Sequence, residues 1–171
     1  MNRKTPMVVL MACASTAFAA GGTGGLVWSK ISFATSAFCR TEGCRLLGSA
    51  RSLNEEGGYW TKDYQYQLKG GSKIIVNRYD DPSHPSDRGR ILAMSMVFEG
   101  NDSESVASKF STLGLRRTVT AQQLTRCFSK AQMTPPSNGA RVSWLTNDRI
   151  VGVRCSIKSG GLKELVITII D

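Results

Sequence analysis

Residues 59–79 read YWTKDYQYQLKGGSKIIVNRY, and this stretch decides the fold class. Tyr64, Tyr66 and Leu68 alternate with Asp63, Gln65 and Gln67. A period of two places the first set on one face and the second on the other, the pattern of a half-buried strand. KGGS supplies the glycines of a tight turn, and KIIVNRY returns as a second strand, so the stretch is an antiparallel hairpin. Working outward, DDPSHPSDRGR (80–90) is a polar loop with two prolines. ILAMSMVF (91–98) is a third strand, with Leu92, Met94, Met96 and Phe98 expected on one face.

The period then changes. Asn101 followed by Glu104 predicts a capped helix whose Val106, Phe110 and Leu113 share a face, with Gly114 placed to end it and Leu115 as the expected hydrophobic contact. Thr120 and Gln123 form a capping box for a second helix. Val119 and Leu124 stand at the staple positions, and Leu124, Cys127, Phe128 and Ala131 recur at helical spacing. Three strands follow, at 141–145, 149–157 and 162–170, with turns expected at Asn147-Asp148 and Gly160-Gly161. The last strand carries LVITII, apolar on both faces, which calls for a central or covered position. The predicted fold is α+β: antiparallel sheet in β-β-β-α-α-β-β-β order with a helical pair packed on it. One sheet or two small ones fit this order equally.

At the N-terminus, Arg3 and Lys4 precede an apolar run from Met7 to Phe18, and Ala17-Phe18-Ala19 is a small-x-small site. That is the pattern of a secretory signal peptide, and the run is too short to span a bilayer, which takes about 20 apolar residues. Residues 1–19 are therefore expected to be a signal and 20–38 a flexible or poorly defined segment. A single α+β domain is expected over 39–171. The alternative is lipidation at Cys13, which follows Ala12 in LMAC. Met11 and the short preceding segment fit that pattern less well than cleavage after Ala19. Both readings give an exported protein, secreted or periplasmic in the first case and anchored in the second.

Removing 19 of 171 residues leaves 152, one ordinary domain, and takes the formal net charge from +9 to +7. A basic domain favours anionic partners such as nucleic acid, acidic polysaccharide, wall polymers or a membrane surface. Four cysteines remain: Cys39, Cys44, Cys127 and Cys155. An even count in an exported chain reads as two disulfides. Cys127 falls on the apolar face of the second helix and Cys155 on the apolar face of a strand, so their bridge would pin helix to sheet. Cys39 and Cys44, in AFCRTEGCRLLG (37–48), are left as a local pair with Gly43 at the bend. Their spacing matches neither a C-x-x-C redox pair nor a zinc finger, and no metal or other cofactor is expected.

Candidate chemistry is sparse. His84 is the only histidine, in a loop with Asp80, Asp81, Ser83, Ser86 and Asp87. G-x-S-x-G, the P-loop and H-E-x-x-H are all missing from the sequence. QLKGGSK and SIKSGGLK resemble phosphate-cradling loops, but they lie between strands and read as hairpin turns. Lys109, Arg116, Arg117, Arg126 and Lys130 fall in the helical pair and its connection. If the apolar faces cover the sheet, Arg116, Arg117, Arg126 and Lys130 form an outward surface for an anionic partner. The expected function is a noncatalytic exported domain that binds another macromolecule, an anionic polymer, envelope component or secreted enzyme. The alternative is a small secreted hydrolase using unrecognised carboxylates or the His84 loop.

Overall fold

A computed structural model describes residues 25–99, 102–148 and 151–169. The expected signal peptide, Cys13 and the cleavage site lie outside the described residues. The elements are α1 (Ala37–Glu42), β1 (Arg45–Asn54), β2 (Tyr59–Gln67), β3 (Lys73–Tyr79), β4 (Ile91–Val97), α2 (Glu104–Leu115), α3 (Ala121–Met133), β5 (Ala140–Asp148), β6 (Val151–Lys158) and β7 (Lys163–Ile169). The strands form one sheet in the order β1-β2-β3-β4-β7-β6-β5, antiparallel throughout.

The two meanders join because the final strand returns to the first. β7 pairs with β4, setting Met94 opposite Ile167 and Met96 opposite Leu165, all four fully buried. This explains why LVITII is apolar on both faces: it occupies the centre of the sheet, where neither edge is open to solvent. α3 packs on β5 and β6, α2 packs on β7, and the two helices touch. Phe110, Leu124, Cys127 and Phe128 come down from the helices onto Ile74, Val76, Val153, Cys155, Leu165 and Ile167 of the sheet. An aromatic cluster extends this core under α1, with Phe33 and Tyr66 ring centres 5.1 Å apart and Phe38 and Phe110 5.7 Å apart.

The structure adds one strand to the predicted order. β1 pairs with β2 from Arg45↔Gln67 to Asn54↔Tyr59. Its residues from Arg45 to Leu53 are exposed, so no buried face imposes an alternation on the sequence. In β4 the inward set begins at Ile91, not Leu92. The register steps from Asn77↔Ala93 to Arg78↔Ile91, leaving Leu92 as the extra residue of a bulge. Ile91 is consequently fully buried and Leu92 only partly so. Asn147 and Asp148 are still in the ladder, opposite Gly152 and Val151, and do not form the turn expected there.

Asn101 lies outside the described residues, and α2 begins from Ser103 as N-cap. Gly114 does not end the helix. The left-handed cap is Arg116 (φ 58°), whose N–H reaches Thr112 O at 2.9 Å. Gly114 is there for close approach: a Cβ on it would meet Ile167 Cδ1 at 2.5 Å, and a Cβ on Gly25 would meet Gly114 O at 2.1 Å. Past this gap runs a strap formed by Leu26–Ser29. Leu26 and Val27 donate to Leu113 O and Gly114 O (3.0 and 3.3 Å), supplying partners for carbonyls at the helix end. Trp28 donates to Ile91 O (2.6 Å), and Ile91 donates to Ser29 O (2.9 Å). From Leu26 onward the N-terminal segment is thus packed rather than flexible, with Leu26, Val27, Phe33 and Phe38 all in the core. Its apolar residues follow no regular spacing because they dock as a strap, a short 3-10 turn and one helical turn in succession.

Both expected disulfides are present, Cys39–Cys44 and Cys127–Cys155. The first closes the end of α1, where Gly43 (φ 69°) takes the left-handed position and donates to Cys39 O. The second joins α3 to β6 within the core.

Candidate functional site

α3 owes its direction to its sequence. The capping box forms as expected: Thr120 Oγ1 accepts from Gln123 N (3.2 Å) and Gln123 Oε1 accepts from Thr120 N (2.9 Å). Leu124, Cys127, Phe128 and Ala131 are buried against the sheet. That fixes the opposite stripe, and Arg126 and Lys130, one turn apart, are exposed.

Beside them α3 and edge strand β5 enclose a cleft of about 190 Å³, lined by Gln123, Arg126, Cys127, Lys130, Trp144 and Leu145. Trp144 is 46% exposed and Leu145 packs on the core. The ladder shifts here, from Trp144↔Arg154 to Thr146↔Val153, so Leu145 is the extra residue of a bulge. Bulges re-aim side chains at sheet edges. The Cys127–Cys155 bridge ties the helical wall to β6, and Cys127 Sγ lies 3.8 Å from Ser143 O on β5. Two cations, an amide and an indole therefore face one covalently braced depression, and among the described residues no carboxylate lines it.

Of the four predicted anion-binding residues, the structure brings Arg126 and Lys130 into this cleft. Arg116 and Arg117 are exposed in the α2–α3 connection and do not line it. Lys109 pairs with Glu42 of α1 at 2.8 Å, away from the cleft. Trp144 and Gln123 were not singled out from the sequence. The legible signal was a tryptophan at an outward position in RVSWLTND; its neighbour across the cleft is set by the fold.

The His84 loop forms a small polar cluster. Ser83 Oγ donates to Asp81 Oδ1 at 2.6 Å, and Ser83 N donates to the same oxygen at 2.9 Å. These bonds hold the Asp81 carboxyl below its ordinary value. His84 Nδ1 lies 2.9 Å from Ser83 Oγ and 3.1 Å from Tyr79 Oη. Burial, then the Asp81 and Asp87 charges, raise the Tyr79 hydroxyl above its ordinary value. The Ser83 proton is directed at Asp81, not at the imidazole, which is the reverse of what an activated serine needs.

The two glycine loops are turns. Gly71 (φ 110°) follows Leu68, and Ser72 N donates to Asp102 Oδ2 at 2.8 Å, which occupies a donor that a phosphate would need. Gly160 and Gly161 (φ 85° and 81°) link β6 to β7. Among the described residues, no group of three or more His, Cys, Asp or Glu side chains could hold a metal ion. Nor is any described helix long and apolar enough to cross a membrane.

The fold and site together define a disulfide-braced α+β domain: a seven-stranded antiparallel sheet with α2 and α3 on one face and a basic, tryptophan-walled cleft at its β5 edge. No family model, curated protein or solved structure matches the chain.

Proposed function

We propose that the protein is an exported, noncatalytic domain that binds an anionic polymer at the α3–β5 cleft. The observation that carries this reading is the cleft itself, where Arg126, Lys130 and Trp144 converge and, among the described residues, no carboxylate lines the site beside the two positive charges. Export is supported by the Arg3-Lys4, Met7–Phe18, Ala17-Phe18-Ala19 pattern and by two disulfides, bonds that persist in oxidising compartments. The hydrolase alternative is disfavoured at His84 by the direction of the Ser83 hydrogen bond.

Heparin serves as the probe polyanion. Affinity should fall linearly with salt on a log–log plot, because bound cations displace condensed counterions. Arg126→Glu with Lys130→Glu should lower affinity and reduce that slope by about one to two, the share of two contacts. Trp144→Ala should weaken binding at all salt concentrations alike. Lys69→Glu with Lys73→Glu, on the β2–β3 hairpin, is the charge-matched control. Equal losses in both double variants would make net charge the only determinant and remove the site.

A further inference from the structure

Of the nine large apolar side chains exposed among the described residues, Trp28, Ile31, Leu46, Leu47, Leu53 and Trp60 belong to β1, β2 and the segment beside β4. This end of the molecule is the sheet edge opposite the cleft, and α2 and α3 pack chiefly on β5, β6 and β7 rather than on β1 or β2. On its helix-side face the strands set Arg51 opposite Lys62 and Lys62 opposite Arg78, three cations in one row. The adjacent row is Leu53 opposite Trp60, 48% and 38% exposed. Arg78 holds the N-terminal segment against this face by donating to Ile31 O (2.7 Å) and also donates to Gly89 O of the β3–β4 loop (2.9 Å); the segment presents Ile31, 60% exposed, and Trp28, 47% exposed. Arg90 stands 5.2 Å from the Trp28 ring centre.

Like charges directly opposite one another on a sheet are destabilising. Arg51 is balanced by Asp80 at 3.0 Å. Lys62 meets the Tyr64 ring at 5.3 Å, and the Arg78 bonds go to backbone carbonyls. A row of cations flanked by exposed leucine, isoleucine and tryptophan is the pairing of groups that holds a protein at an anionic bilayer surface. There the apolar tips enter the headgroup boundary and the cations meet lipid phosphates. We infer that this face, centred on Lys62, Leu53 and Trp60, docks onto an anionic lipid surface.

A single-stranded nucleic acid fits less well. Leu53 and Ile31 give a base nothing to stack on, and the Arg51 guanidinium already covers the Trp60 ring at 4.5 Å. The surface is separate from the α3–β5 cleft, so the two readings stand or fall independently.

The test uses full-length single-tryptophan variants that keep only Trp28, Trp60 or Trp144, the other two changed to Phe. Each is mixed with vesicles of phosphatidylcholine containing about one third phosphatidylglycerol and carrying brominated acyl chains. Trp60 and Trp28 emission should be quenched and Trp144 emission unchanged. Lys62→Glu in the Trp60 protein should lower partitioning by at least about fivefold, the weight of one cation at such a surface. Leu53→Glu should lower it by about tenfold or more. Both side chains are at the surface, and a thermal melt of each variant confirms that the fold is kept. The apolar run at residues 7–18 is the same in every arm. Vesicle binding with Trp60 unquenched is therefore binding by that run alone and overturns the inference. Equal quenching on pure phosphatidylcholine, or binding to polyuridylate without vesicle partitioning, overturns it as well.

Discussion

Gly114 shows how one hydrogen in place of a methyl group sets the contact between layers. Its Cα faces Ile167 of β7, and its carbonyl group is approached closely by the strap at Gly25. Gly114→Val would drive a branched side chain into the fully buried Ile167, and overpacking of this kind costs about 1–3 kcal/mol. Urea denaturation of the variant should show the loss as a lower midpoint with an unchanged slope. Glu104, at the first turn of α2, accepts from Thr125 Oγ1 of α3 at 2.6 Å and from Lys163 Nζ of β7 at 3.0 Å. The Thr125 bond first, and the lysine with it, hold this carboxyl below its ordinary value of 4.5. A carboxyl lowered in the folded state stabilises the fold above its ordinary value, and that contribution is lost as pH falls through the lowered one. Glu104→Gln should therefore cost stability at neutral pH, by less than about 1 kcal/mol because the group is partly solvated. Thermal melts of the two proteins should converge at acid pH, and a constant gap across the titration would remove the ionic contribution.

At the scale of elements, legibility followed burial. The β2–β3 hairpin and α3 were plain because each has one dry and one wet face, at period two and at helical period. Thr120→Ala should cost about 1 kcal/mol, since it removes the acceptor for Gln123 N and disrupts the reciprocal bond, and guanidinium titration would measure it. β1 was hidden for the opposite reason: its side chains are exposed on both faces, and only pairing with β2 makes it a strand. Leu92 was misassigned to the core because a bulge adds one residue to β4, and a strict alternation has no place for it. Gly114 carries two meanings in sequence, helix end and close contact, and only the position of Ile167 chooses between them. The candidate cleft was half legible. Arg126 and Lys130 follow from the amphipathic stripe of α3, whereas Trp144 joins them across 14 residues of chain, from Lys130, by a tertiary contact.

For the whole molecule, the sheet order places the two candidate surfaces at opposite edges, the cleft on β5 and the apolar–cationic face on β1. Between them the Cys127–Cys155 bridge closes a 28-residue separation, for which chain entropy gives about 3–4 kcal/mol. Cys127→Ala with Cys155→Ala should lower the denaturation midpoint accordingly and loosen the α3–β5 wall, so heparin affinity should drop even with Arg126 and Lys130 intact. The order of the bridges has a kinetic consequence. The four cysteines among the described residues allow three pairings, one of them crossed, one nested and one sequential. The observed pairing is the sequential one, Cys39 with Cys44 and Cys127 with Cys155. Among these four, an oxidant that met the chain from its N-terminus would encounter each cysteine just before its partner. Oxidation in order of emergence would give the native bonds directly, whereas crossed or nested pairs would have to be exchanged.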